Sequence, residues 1–279
     1  MTPILSHYQA TVILKAKEAG ETAVSTSVDL NKTTAVLPLT QTHVLLPDGQ
    51  QLTWEQLHEM VANPNNCYTI EENEIEKVQF FSEVLQRAYS LYPTQSAPTM
   101  LVAGFPMHRI KGTDPWRDTA SKIKVAAPSG SVLDTTMGLG YTAIRAAETA
   151  VRLTTIELDP TVEQICRRNP WSQPLFTNPK INRVIGDAFD VVETLEDASY
   201  QRIIHDPPTF SLAGHLYSAD FYRELWRILQ PKGRVFHYIA DPKSRSGRSI
   251  TRGVVQRLQQ SGFRRVKPAP QAFGVVAYK

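Results

Sequence analysis

Strand and helix patterns alternate regularly between residues 106 and 262, and this alternation constrains the fold more than any other feature of the chain. The strand patterns are SVLDTT, RLTTIEL, INRVIGD, QRIIHD and GRVFHYIA, and the helical patterns between them cover residues 141–150, 160–168, 188–196 and 219–229. Consecutive parallel strands need a crossover connection, which is usually a helix. The alternation therefore predicts a parallel sheet with helices on both faces.

Two final strand patterns, FRRVKPA and FGVVAYK, are separated by only a short connection. So short a connection joins antiparallel neighbours, and the last strand is therefore expected to run antiparallel to the rest. The predicted fold class of residues 106–279 is α/β: a Rossmann-like, mostly parallel sheet with helices on both faces and a C-terminal antiparallel hairpin. Asp114 and Pro115 are typical of a helix start before the first strand.

Residues 1–105 lack this regular alternation of strand and helix patterns and are predicted to form a smaller, β-rich α+β N-terminal domain. The predicted elements are strands at residues 8–14, 22–28, 33–39, 42–54 (with a turn at 47–49), 67–72 and 99–105 and helices at residues 53–61 and 77–90. Thr53 and Gln56 have the spacing of a capping box at the start of the first of these helices. No motif in this domain points to a particular chemistry.

The composition is that of a soluble globular protein, with 42% hydrophobic and 20% charged residues. No apolar run approaches the roughly 20 residues that span a bilayer, and MTPILSHYQATVILK lacks the pattern of a secretory signal. Cys67 and Cys166 show neither metal-ligand spacing nor a disulfide framework. We therefore expect a cytoplasmic protein with buried thiols, without a membrane partner and without a metal site; the oligomeric state stays open.

The net charge of +3 hides an asymmetry along the chain. Residues 1–110 contain six lysines and arginines against eleven acids, whereas residues 111–279 contain 24 against 16. Residues 242–279 contain nine basic residues and no acidic one. Such a segment is typical of a surface that attracts anions, and Arg245 and Arg248 are its candidate substrate ligands. The pattern fits RNA phosphates and a small phosphorylated or carboxylated metabolite equally well. The alternative is that these basic residues form a solvated surface without a ligand.

A glycine-rich turn follows the first predicted parallel strand. Asp134 ends the strand pattern, Gly138 and Gly140 follow, and a helical pattern begins directly afterwards. Glycines allow the backbone to turn tightly and to approach a ligand closely. The turn lacks both the third glycine of a dinucleotide-binding fingerprint and the lysine of a P-loop. By itself it is compatible with a ligand site or with a tight packing turn.

Three further acids end the following strands. Glu157 ends the second strand, Asp187 the third and Asp206 the fourth. Each acid alone is compatible with a helix N-cap at a strand-to-helix junction. The carboxyl ends of parallel strands form the crevice where such folds bind ligands. The four acids together with the glycine pair therefore favour a nucleoside ligand.

The motifs LDTTMGLG, TIELD, IGDAF and HDPPTF resemble motifs I to IV of the class I S-adenosylmethionine-dependent methyltransferases. The resemblance covers about residues 106–279. It implies that S-adenosyl-L-methionine is the cofactor, with Glu157 on the ribose hydroxyls and Asp187 on the adenine amino group. The residues that it assigns to the cofactor are Asp134, Thr136, Met137, Gly138, Gly140, Glu157, Leu158, Asp187 and Ala188. The chain also resembles an uncharacterised, mainly archaeal methyltransferase group with a DPW helix before motif I.

The Asp-Pro-Pro turn resembles the substrate turn of amino-group methyltransferases, which presents an acid or amide and a backbone carbonyl to a substrate NH₂. This chain departs from that pattern, because Thr209 replaces the aromatic residue and Phe210 comes one position later. The residues assigned to catalysis are Asp206, Pro207, Pro208 and Thr209, and those assigned to the substrate are Phe210, Tyr217, Arg245 and Arg248. The expected function is methylation of an amino nitrogen of RNA or of another anionic substrate that carries a nucleobase.

Two other functions stay open. An aminopropyltransferase of the spermidine-synthase type uses the same sheet, resembles the FYRELWRILQPKGRV region, and often has a β-rich N-terminal domain. Its active-site loop usually supplies acids for a polyamine, and here the loop region has only Asp206 and Asp220. A non-catalytic RNA-binding protein is the third reading. His205 is interpreted as a packed sheet residue rather than a proton acceptor.

Overall fold

The computed structural model describes residues 2–279, and they pack as two compact units. The first unit comprises the residues up to Trp116 together with Thr161–Gln173. The second comprises Arg117–Pro160 and Pro174–Lys279. The boundary at residue 105 that the sequence predicts stays a prediction.

Up to residue 106, the first unit is built from short strands and two helices. Its elements are β1 (Ile4–Ser6), α1 (His7–Glu18), β2 (Ala23–Thr26), β3 (Ala35–Pro38), β4 (His43–Leu45), β5 (Gln51–Thr53), α2 (Trp54–Ala62), β6 (Cys67–Glu71), β7 (Glu74–Lys77), β8 (Gln79–Ser82), β9 (Arg87–Tyr92), β10 (Thr99–Val102) and β11 (Phe105–Pro106). The largest sheet has the order β11-β10-β9-β8, and all its neighbouring strands are antiparallel. The β-rich character expected from the sequence is present.

Two elements of this unit differ from the sequence expectation. Residues 8–14 lie in helix α1 rather than in a strand, because Ser6 and Gln9 form a capping box that starts the helix ahead of the β-branched run. Residues 79–92 form the β8–β9 hairpin rather than a helix, with Phe80 opposite Tyr89. The predicted capping box of Thr53 and Gln56 at α2 is confirmed.

The second unit is built around one seven-stranded sheet. From α3 onward the elements of the chain are α3 (Pro115–Ala126), β12 (Gly130–Asp134), α4 (Tyr141–Ala147), β13 (Ala150–Glu157), α5 (Pro160–Arg168), α6 (Pro174–Thr177), β14 (Ile181–Ile185), α7 (Ala188–Glu193), β15 (Tyr200–His205), α8 (Ala219–Ile228), β16 (Leu229–Tyr238), α9 (Arg245–Gln260), β17 (Arg265–Ala269) and β18 (Gly274–Tyr278). All but the first residue of α5 belong to the first unit. The strand order is β14-β13-β12-β15-β16-β18-β17. Strand β12 is an internal strand with parallel neighbours on both sides.

The C-terminal hairpin confirms the second topological prediction. Strands β17 and β18 are antiparallel to each other, and β18 pairs antiparallel with β16. The last strand therefore inserts between β16 and β17. The predicted Rossmann-like, mostly parallel sheet is confirmed, and so is the start of α3, where Asp114 accepts a hydrogen bond from the Trp116 amide at 2.9 Å.

A hydrophobic core of the second unit packs one face of this sheet against α8 and α9. Phe221, Leu225 and Leu258 are fully buried in it. Both cysteines of the chain are free and buried, as predicted. Within residues 2–279, no helix has the length and apolarity that a membrane crossing requires.

Candidate functional site

Four acidic residues lie at the carboxyl edge of the parallel sheet. Asp134 and Glu157 are the last residues of β12 and β13. Asp206 follows β15 directly, and Asp187 precedes α7. Strands β14, β13, β12 and β15 are consecutive neighbours, so their C-terminal ends share one edge. The structure thus places together the four acids that the sequence singled out.

The glycine-rich turn between β12 and α4 has the backbone geometry that requires glycine. Gly138 and Gly140 have φ angles of 52° and 75°, in the left-handed region that other residues adopt at a cost. A Cβ atom on Gly140 would lie 2.2 Å from the Leu175 side chain. Gly140 is therefore fixed both by its φ angle and by close packing.

Glu157 is tied to this turn by backbone hydrogen bonds. Its Oε2 accepts a hydrogen bond from the Gly138 amide at 2.9 Å, and its Oε1 accepts one from the Asp159 amide at 3.1 Å. Desolvation by burial raises the pKa of Glu157 to about 7. Because each carboxylate oxygen has two lone pairs, the group keeps capacity for further donors such as sugar hydroxyls.

Asp134 lies fully buried below the turn. Its Oδ2 accepts hydrogen bonds from the hydroxyls of Thr142 and Thr155, at 3.2 and 2.9 Å. Its Oδ1 is buried and has no hydrogen-bond partner among the described residues. Burial raises the pKa of the carboxyl group to about 7. An unpaired buried carboxylate oxygen is costly, and a ligand donor would satisfy it.

Asp187 has two partners in the structure. Its Oδ1 caps α7 by accepting a hydrogen bond from the Phe189 amide at 2.7 Å. Its Oδ2 lies 3.2 Å from Nε2 of His215, which belongs to the segment after the Asp-Pro-Pro turn. The helix-cap interpretation of this acid is thus realised, and its assignment to adenine stays a prediction.

The other predicted cofactor residues surround the same edge. The Thr136 hydroxyl donates to the Asp206 carbonyl at 2.8 Å, which joins the glycine turn to the Asp-Pro-Pro turn. Met137 and Ala188 are buried, whereas Leu158 is exposed just beyond Glu157.

Asp206 forms a buried ion pair that sequence reasoning missed. Its Oδ2 lies 2.6 Å from the ammonium group of Lys122, which also lies 3.1 Å from Asp118 Oδ2. The Asp206 side chain remains 17% exposed beside this pair. The one signal in the sequence was the i, i+4 spacing of Asp118 and Lys122 on a predicted helix, which is usually read as a surface pair.

The Asp-Pro-Pro turn is held from below by a buried tyrosine. Pro207 is buried, whereas Pro208 and Thr209 are exposed. The Tyr217 hydroxyl donates to the Pro208 carbonyl at 3.0 Å. The Phe210 ring is 48% exposed and stands edge-on to the Tyr217 ring, with centroids 5.4 Å apart. Tyr217 therefore supports the turn, and Phe210 presents its ring to solvent.

His205 is a packed sheet residue, as the sequence interpretation held. It is fully buried, and its Nε2 donates to the Leu216 carbonyl at 3.0 Å, so its Nδ1 accepts from the Thr135 hydroxyl at 2.7 Å. Burial lowers its pKa to about 3. The described residues contain no cluster of three or more histidines, cysteines or acids that would hold a metal ion.

The basic helix α9 lies next to the aromatic side of the turn. A cavity of about 130 Å³ is lined by Phe210, Ser249, Ile250, Gly253 and Arg257. Arg257 is fixed there, because its Nε donates to the Tyr217 carbonyl at 2.7 Å. Arg245 and Arg248 are exposed in the first turn of α9, and neither forms an ion pair with an acid among the described residues.

Solved structures that are similar to this chain include spermidine synthases. That of Thermotoga maritima superposes with a TM-score of 0.57 at 15% identity and covers 77% of this chain and 76% of its own. A spermidine synthase in complex with the transition-state analogue AdoDATO superposes with a TM-score of 0.59, also at 15% identity, over 74% of this chain and 76% of its own. At this identity the likeness shows the Rossmann-like fold alone.

Comparison with protein-family models gives no match. A polyamine aminopropyltransferase of Sulfolobus acidocaldarius is 29% identical over 96 residues, which is 33% of this chain and 32% of the relative. The uncharacterized protein MJ1233 of Methanocaldococcus jannaschii is 39% identical over 260 residues, which is 91% of this chain and 88% of the relative. An identity of this size along almost the whole length shows that the chain belongs to the same protein family as MJ1233.

Proposed function

We propose that the protein is an S-adenosylmethionine-dependent methyltransferase that acts on an amino nitrogen of RNA or of another anionic substrate that carries a nucleobase. The observation that carries this proposal is the cavity shared by Phe210 and the basic helix α9 beside the Asp-Pro-Pro turn. An exposed aromatic ring stacks with bases, and arginines attract phosphates.

The residues at the sheet edge fit the cofactor. Asp134 has an unpaired buried carboxylate oxygen, which suits the ammonium group at the methionine end of the cofactor. Glu157 has free acceptor capacity for the ribose hydroxyls. Asp187 would accept the adenine amino group after its contact with His215 is broken. When bound, the cofactor supplies a transferable methyl group on a positively charged sulfur.

The turn supplies the groups that orient an amine. Asp206 Oδ1 and the Pro207 carbonyl would accept hydrogen bonds from its two N–H groups and direct its lone pair toward the methyl group. Methyl transfer depends chiefly on such in-line positioning. The buried Pro207 and the Tyr217 support below Pro208 keep these acceptors fixed.

Incubation with labelled S-adenosylmethionine and, separately, total RNA, DNA and metabolite extract tests this proposal. We expect label in RNA or in a small molecule that carries a nucleobase. Label in metabolites without a nucleobase would show that the substrate belongs to another chemical class and would contradict this part of the proposal. Absence of label in every fraction, together with RNA binding that does not depend on cofactor, would support a non-catalytic RNA-binding protein instead.

An aminopropyltransferase is the second candidate, and the likeness to spermidine synthases favours it. Such an enzyme must bind a polycation. In this chain, Asp206 is neutralised by Lys122, and Asp220 forms an ion pair with Arg223. The loop after β15 therefore offers little negative charge to a polyamine. Incubation with decarboxylated S-adenosylmethionine and putrescine, followed by analysis for spermidine, distinguishes the two reactions.

A further inference from the structure

Lys122 is a buried ammonium group inside a cage of two carboxylates and one aromatic ring. Its Nζ lies 2.6 Å from Asp206 Oδ2 and 3.1 Å from Asp118 Oδ2. It also lies 4.3 Å from the centre of the Tyr238 ring. The Lys122 side chain is only 5% exposed, so this is not a solvated surface charge.

Stability alone does not explain this arrangement. A buried ion pair usually adds little net free energy, because removing the charges from water opposes their attraction. Burial by itself lowers the pKa of Lys122, but the attraction of Asp206 and Asp118 outweighs it and raises the pKa above its ordinary value. Lys122 is thus charged at neutral pH and neutralises the acid of the proposed substrate turn.

We infer that Lys122 determines substrate specificity, because its ammonium group occupies the place beside Asp206 that the ammonium group of an amine substrate would otherwise take. The inference rests on the proposed function, which puts Asp206 on the substrate side. Carboxylates and an aromatic face together recognise alkylammonium ions. With Lys122 in place, diamines and polyamines are excluded by charge, whereas the neutral amino group of a nucleobase is not.

Replacement of Lys122 by alanine tests the inference, because it deletes the atoms that n-propylamine would replace. We expect propylamine and putrescine to leave the Tm of the wild-type protein unchanged. In Lys122→Ala, either amine should bind the vacated cage and raise Tm. At ten times its dissociation constant the rise should be about 3 °C or more.

Two variants control this measurement. Lys122→Met fills the same volume without charge and should not respond to amines. Lys17→Ala removes a lysine that also lies over an aromatic ring, 3.9 Å from the Trp54 ring centre, but without a neighbouring carboxylate pair, and it should not respond either. An amine response of the wild type, or none in Lys122→Ala, would overturn the inference.

Lys122→Ala removes the ammonium group from beside Asp206 and Asp118, and a second measurement covers the case in which this variant does not fold. The same comparison is then made on its refolding yield from urea with and without propylamine, and on Tm of the double variant D118N/K122A, which keeps Asp206 and Tyr238. An equal yield and an unchanged Tm would overturn the inference. None of these measurements needs cofactor, so methylated product without an amine response refutes the cage and leaves the proposed function standing. An amine response without methylated product supports the cage and refutes the proposed methyltransferase function.

Discussion

Asp134 is a residue at which the candidate site and folding stability conflict. Burial raises the pKa of its carboxyl group from 3.8 to about 7, so the folded state binds this proton more tightly than the unfolded state. The resulting stabilisation is complete below about pH 4 and is lost as the pH rises through about 7. The difference between the two pKa values corresponds to roughly 4 kcal/mol at most.

We expect Asp134→Asn to lose this pH dependence. The amide oxygen still accepts hydrogen bonds from the hydroxyls of Thr142 and Thr155, and the asparagine side chain carries no charge at any pH. Relative to the wild type, the variant should gain a few kcal/mol of unfolding free energy between pH 4 and pH 8. Urea unfolding followed by circular dichroism at several pH values measures it, and other titrating groups cancel in the comparison. A constant difference across this range would contradict the prediction.

Asp187 caps α7 and is also the proposed ligand of the adenine amino group. Replacement by serine keeps the helix cap and removes the carboxylate, so it separates these two roles. Serine is as good an N-cap as aspartate, so Asp187→Ser should keep α7 and change the unfolding free energy by less than about 0.5 kcal/mol. It lacks the carboxylate, so the Kd for S-adenosylmethionine in calorimetry should rise about tenfold, as expected for the loss of a buried hydrogen bond to a charged group. Asp190→Ser, in the first turn of the same helix, serves as the control. Unchanged affinity in Asp187→Ser would remove Asp187 from the cofactor site.

At the scale of elements, helix α9 carries the proposed attraction for an anionic substrate. We expect the double charge reversal R245E/R248E to raise KM, with little change in affinity for S-adenosylmethionine. The helix itself should stay folded, because glutamates in its first turn interact favourably with its dipole. If the substrate is RNA, each lost phosphate contact should reduce the log–log salt slope by about one.

The matched control for this reversal is K15E/K17E on α1, which makes the same change in net charge at two exposed lysines of the first unit. If both double variants raise KM equally, the effect reflects overall charge. If neither changes KM or the salt slope, the basic turn of α9 is only a solvated surface.

The elements that were predictable from sequence are those in which local signals agree with packing. Strands β12, β13, β14 and β15 each contain buried or part-buried apolar residues and end in a turn, and α3 begins at an Asp-Pro pair. The N-terminal strand prediction at residues 8–14 was wrong because the capping box at Ser6 outweighed β propensity. The Lys122–Asp206 pair could not be foreseen, since 84 residues separate its members and only the folded sheet edge joins them.

At the scale of the whole molecule, the chain does not divide at a single point. Residues 161–173 belong to the first unit although second-unit residues flank them. Within that unit, Trp171 Nε1 donates to the Leu30 carbonyl at 2.9 Å, and Lys32 donates to the Pro170 carbonyl at 2.7 Å. Arg168 also forms an ion pair with Glu71. These partners all lie before residue 105, where the sequence predicts the domain boundary.

We therefore expect residues 106–279 expressed alone to be insoluble or to unfold without cooperativity, because the 161–173 segment loses these partners. Loss of S-adenosylmethionine binding should follow, since this segment begins four residues after Glu157. The full chain cleaved at a protease site introduced after residue 105 is the control, because cleavage breaks continuity but keeps the partners present, and it should retain both properties. Thermal unfolding and calorimetry measure them. A soluble fragment with cooperative unfolding and full-length cofactor affinity would instead establish an independent domain that begins at residue 106.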